Sequence, residues 1–135
     1  MVLQLHKKGE IDGDIKDYMT TFMAGIFRSV RFGASSAHVK ANMIRFNFFK
    51  EKGAFTKTIK GTYRVNYAKM ESAMKELSEV ILTLQGNGDY NGVLNLVNEK
   101  GVISEDLQAD LDKLSKASIP VDVIFEQGIE VLGLN

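Results

Sequence analysis

Apolar residues recur at helical spacing between Ile15 and Phe32: Ile15, Met19, Phe22, Met23, Ile26, Phe27 and Val30. That surface is wider than one stripe and predicts a helix buried on more than one side. Asp14 is its expected N-cap, Asp17 suits its positive end and Gly33 stops it. A second helix is expected from Ser35 or Ser36 to about Lys52, closed by Gly53. Ala37, Ala41, Ile44 and Phe48 form one apolar row on it, and Val39, Met43 and Phe46 a neighbouring one. A third row is polar. His38, Asn42 and Arg45 stand at i, i+4 and i+7, stacked on one face of a helix otherwise clad in apolar groups.

The period then shortens. Phe55 to Lys60 alternates, Gly61 follows, and Thr62 to Asn66 alternates again, which predicts a β-hairpin turning near Lys60-Gly61. Asn66 caps a third helix, Tyr67 to about Gln85, with Met70, Met74, Leu77, Ile81 and Leu84 on its core face. Gly86-Asn87-Gly88 stops it. Asp89 opens a short helix to about Val97, ended by Gly101. Ser104 opens another, with Glu105 and Asp106 in its first turn and Leu107, Leu111 and Leu114 facing the core. Pro120 precedes an alternating Val121–Phe125, a C-terminal strand that can join the hairpin. Residues 1 to 14 read as a short apolar start and a charged, glycine-containing loop.

The expected class is therefore α+β, mostly helical, with about five helices, one β-hairpin and a C-terminal strand. No repeat or linker interrupts the pattern, so residues 1–135 read as a single domain. The final Val131-Leu132-Gly133-Leu134-Asn135 lacks a polar tail and reads as the cut edge of a longer chain.

Composition narrows the function more than the fold. Hydrophobic residues make up 44% of the chain and charged ones 25%, enough for a real core. Seventeen basic and seventeen acidic residues cancel, which removes any global attraction to nucleic acid or an anionic membrane. Arg28, Arg31, Lys40, Arg45, Lys50 and Lys52 make the first two helices locally basic, with Phe46, Phe48 and Phe49 interleaved. The ordinary explanation is a solvated face, and nucleic-acid binding ranks low. There is no cysteine, so disulfides, thiol catalysis and cysteine-ligated metals are excluded, and a cytoplasmic setting fits. No apolar run reaches the ~18 residues needed to span a membrane.

Intrinsic catalysis finds little material. A zinc enzyme needs three protein ligands, and the two histidines, His6 and His38, are far apart. Ser35 and Ser36 lie near His38, but a helix cap explains them better than a nucleophile does. No phosphate-loop Gly-Lys-Ser/Thr follows Gly86-Asn87-Gly88. The Nudix pattern of a glycine before a Glu-rich helix with Arg-Glu and Glu-Glu pairs is absent. The row His38, Asn42 and Arg45 remains. Unpaired and buried, each group would cost kilocalories, so the row must meet partners, solvent or a ligand cleft. A histidine in a cleft can donate a hydrogen bond to a substrate carbonyl or a developing oxyanion.

The run from Ser29-Val30-Arg31-Phe32-Gly33 through Ala37-His38-Val39-Lys40-Ala41-Asn42 to Phe48-Phe49 resembles the dipeptidyl peptidase III family, in its Bacteroides-like bacterial version. So do Ile119-Pro120-Val121-Asp122-Val123-Ile124-Phe125-Glu126-Gln127-Gly128 and the helix ending at Gly88-Asp89-Tyr90. The resemblance runs from about Asp17 to the end, and its specific part is the His38 block. It implies a two-lobed zinc exopeptidase that releases dipeptides from the N-termini of oligopeptides. Zinc there is held on the helical lobe by a His-Glu-x-x-x-His segment and a downstream glutamate. This chain would be the portion just C-terminal to those motifs, with no catalytic residue and no metal ligand of its own. The resemblance implies that His38, in Ala37-His38, meets the scissile carbonyl or stabilises the transition state.

Two departures stand out. Animal members carry an arginine where this chain has Asn42, and bacterial members more often have glycine in place of Val39. The expected partners are an oligopeptide substrate and the remainder of the parent enzyme. Apolar surface left bare by the missing remainder would allow a dimer. The alternative from a different class is a free-standing helical module that binds peptides or proteins without cutting them.

Overall fold

A computed structural model describes residues 2–119, 125–131 and 133. The chain divides into two compact units, Met1–Ile103 and Ser104–Asn135.

The first unit contains α1 (Val2–Lys7), α2 (Ile15–Val30), α3 (Ala37–Glu51), β1 (Phe55–Lys57), β2 (Tyr63–Val65), α4 (Tyr67–Gly86) and α5 (Tyr90–Lys100). Each long helix starts where a side-chain oxygen replaces a missing backbone acceptor. Asp14 accepts from the amide of Lys16, Ser36 from Val39, Asn66 from Lys69 and Asp89 from Gly92. The helix α1 is an addition to the expected set, because its six residues carry too little periodicity to be read. The loop after it is tied down rather than free. The His6 Nε2–H donates to the Gly13 carbonyl at 2.8 Å, and the Tyr18 hydroxyl to that of Asp12 at 2.6 Å.

The core gathers around α3, which packs against α2, α4, α5 and β1. Met43, Phe46, Phe48 and Phe49 are its buried residues. They point to more than one side, as a helix enclosed by four neighbours requires. In α2 a single stripe is buried: Met19, Met23, Ile26 and Val30. The wider burial expected of that helix is only partial, since Phe22 keeps about two-fifths of its surface exposed. Phe27 joins α2 to the rest through edge-on contacts with Phe46 at 5.3 Å and Phe55 at 5.7 Å.

The hairpin is antiparallel, with Phe55 opposite Val65, Thr56 opposite Arg64 and Lys57 opposite Tyr63. Its strands are shorter than the alternation suggests. Thr58 and Thr62 close the loop early, the Thr58 amide donating to the Thr62 carbonyl at 2.7 Å and the two hydroxyls meeting at 2.8 Å. Gly61 takes the positive φ of +78° that this turn needs. Ile59 at the tip is fully exposed.

In the second unit, α6 (Glu105–Lys116) starts at the Ser104 cap. Leu107 is buried and Leu111 and Leu114 are half-buried, as their spacing predicts. The expected strand Val121–Phe125 lies, apart from Phe125, outside the described residues, and Phe125 is exposed in irregular backbone. Six helices and one two-stranded hairpin among the described residues make the class α+β and mostly helical. No helix among them is long and apolar enough to cross a membrane.

Candidate functional site

The polar row begins where α2 gives way to α3. Gly33, at φ +90°, turns the chain after α2, and Ser36 caps α3 with its hydroxyl toward the Val39 amide. His38 is thus the second residue of α3. It is exposed, and among the described residues nothing hydrogen-bonds its imidazole.

Asn42, one turn further on, behaves differently. It is half-buried, and both ends of its amide are engaged. The Nδ2 donates to Ser29 Oγ at 2.7 Å, and the Oδ1 accepts from Arg45 Nη1 at 2.7 Å. Ser29 belongs to α2, so Asn42 bridges the two helices and steadies the Arg45 guanidinium. The structure therefore brings Asn42 and Arg45 together and leaves His38 apart. Arg45 is exposed, so the row carries no buried unpaired charge.

A second asparagine on α3 gave no sequence signal. The Asn47 Nδ2 donates to the Lys100 carbonyl at 2.8 Å and the Val102 carbonyl at 2.7 Å. These acceptors flank the C-cap Gly101, so α3 satisfies carbonyls that the end of α5 leaves open. Gly101 must be glycine here: a Cβ would sit 2.5 Å from the Val97 carbonyl oxygen and 3.0 Å from Lys40 Cγ. Two ion pairs fasten the same end of α3, Glu51 to Lys100 of α5 and Lys52 to Glu76 of α4, the latter at 2.6 Å. The Lys100 ammonium, hydrogen-bonded to Glu51, holds that carboxyl below its usual pKa despite some desolvation.

Among the described residues no three His, Asp or Glu side chains converge on a common point. An open depression of about 380 Å³ lies beside the hairpin, lined by Thr56, Arg64, Val65, Asn66, Tyr67 and Ala68. It shares no residue with the polar row.

The structure of DPP III from Caldithrix abyssi superposes on 98% of this chain with a TM-score of 0.82 and 33% identity. The chain is similar, almost end to end, to one segment of dipeptidyl peptidase III. The dipeptidyl peptidase III of Corallococcus sp. strain EGB repeats the result, with a TM-score of 0.83, 33% identity and 98% of this chain covered. The chain spans 25% and 24% of these two dipeptidyl peptidase III chains. A curated relative, Nudix hydrolase 3 of Arabidopsis thaliana, is 40% identical over 109 residues. That stretch is 81% of this chain but 14% of the relative, whose name describes a much longer protein. The absent Nudix pattern in the present sequence gives no support for carrying that name over. No protein-family model matches the chain.

Proposed function

We propose that this chain corresponds to a substrate-cleft segment of a zinc-dependent dipeptidyl peptidase. The observation that carries the reading is the near end-to-end likeness to two dipeptidyl peptidase III structures, with each of them about four times as long. In this reading the metal and the general base belong to the remainder of the polypeptide, and this chain is inactive alone. The peptidase would be a cytoplasmic exopeptidase that releases dipeptides from the N-terminus of oligopeptides.

His38 is the residue proposed to touch substrate. Its support is chemical. The imidazole is exposed at the first turn of a helix whose body is firmly packed, and among the described residues nothing competes for its N–H. A rigid mount and an unengaged donor suit a hydrogen bond to a peptide carbonyl whose oxygen gains charge during attack. Asn42 is a positioning residue in this account, holding α3 against α2 one turn below His38, with Arg45 hydrogen-bonded to it on the same helix.

The purified 135-residue chain provides the test. Metal analysis by atomic emission is expected to find zinc far below one equivalent, and dipeptidyl substrates are expected to stay intact. Zinc at one equivalent, or released dipeptide, contradicts the proposal.

A further inference from the structure

The helices α4 and α5 carry apolar residues that this chain does not cover. Along α4 one face continues from Met70, Ala73 and Leu77, all buried, to Val80 and Ile81, both exposed by more than a third. The helical period keeps these residues on the same side, so the face outruns the core beneath it. In α5 no residue is fully buried. Its half-buried row, Gly92, Leu96 and Lys100, accompanies the packing against α3. Tyr90 and Leu94 fall on the other side, with Tyr90 71% and Leu94 40% exposed. An 11-residue helix is marginal by itself and depends on tertiary contacts, which α5 makes with α3 and α4 while Tyr90 and Leu94 stay uncovered.

We infer that the apolar face formed by Val80 and Ile81 of α4 and Tyr90 and Leu94 of α5 is a docking surface. Its occupant is the remainder of a dipeptidyl peptidase III-type polypeptide. Length and chemistry identify this occupant. In both matched structures this segment is a quarter of one continuous chain, so three-quarters of the polypeptide is available to pack on it. The face itself is aliphatic and aromatic, as an interior surface is. This inference rests on the reading of the chain as a peptidase segment, but its test reads stability and mass rather than turnover or zinc.

The test compares two settings. Ile81→Glu and Leu94→Glu are made in the 135-residue chain. They are also made in the full-length Caldithrix abyssi peptidase with this segment in place of its matched quarter. In the short chain, thermal unfolding and sedimentation mass are expected to stay unchanged. In the long polypeptide each substitution is expected to lower the unfolding midpoint by roughly 3–6 °C, while Leu94→Met restores it. Substitutions without effect in the long polypeptide overturn the inference, as does an unsubstituted long polypeptide that fails to fold. A short chain that sediments as a dimer and is split by Leu94→Glu also overturns it, because a second copy is then the occupant.

Discussion

The two ends of α4 have the same amphipathic pattern and different fates. From Met70 to Leu77 the apolar face is enclosed by α2 and α3, and three of its residues are buried. At Val80 and Ile81 the same face meets solvent, and Tyr90 and Leu94 of α5 continue the exposure. Periodicity therefore states which face of a helix must be covered, and says nothing about which part of a polypeptide covers it. The ring cluster of Phe27, Phe46 and Phe55 represents the enclosed state, and Leu94 the open one.

Truncation at each place separates the two regions most sharply. Phe46→Ala removes a ring that is 1% exposed and touches two other aromatic rings. A loss of about 3–5 kcal/mol in urea unfolding is expected. Leu94→Ala in the same chain should change stability by less than about 0.5 kcal/mol. Equal losses at the two positions would erase the contrast between the regions.

A smaller effect tests how α5 is held although so little of it is buried. Asn47→Ala leaves the Lys100 and Val102 carbonyls without their donor and should cost about 1–2 kcal/mol. Amide exchange should accelerate first along α5, with α2 protected as before. Uniform acceleration through both helices would show that Asn47 supports the whole core instead.

The smallest expected effect is electrostatic. Lys100 holds the Glu51 carboxyl below its usual value of 4.5, and Lys75 chiefly does the same for Glu71. A carboxyl depressed in the folded state adds stability that is complete above its unfolded pKa and fades as pH falls through the lower folded value. Both pairs lie at the surface, so the contribution is small and salt weakens it. Urea midpoints followed from pH 5 downward should fall less steeply in the double variant Glu51→Gln, Glu71→Gln, about as in high salt. An identical acid profile would remove these pairs from the account.

Much of the fold was legible because caps and periods are local. Asp14, Ser36, Asn66, Asp89 and Ser104 each signal a helix start through an oxygen that reaches an amide two or three residues ahead. Contacts across the chain leave no such trace. Spacing placed Asn42 in a polar row, and its partner Ser29, 13 residues back on another helix, left no sign in that spacing. Asn47 was silent because its acceptors are backbone carbonyls 53 and 55 residues away. The shortened hairpin followed from the Thr58–Thr62 closure, which alternation cannot anticipate. His38 was legible as a chemical group in an unusual row, and it stands exposed near the start of α3.

Turnover of a full-length dipeptidyl peptidase carrying this segment, with His38→Ala against the unsubstituted protein, addresses the central claim most directly. The account predicts a fall in kcat of roughly 100-fold or more, as for loss of one donor to a developing oxyanion, with zinc content and unfolding temperature unchanged. Unchanged turnover, or loss of zinc together with activity, would contradict the placement of His38 at the substrate.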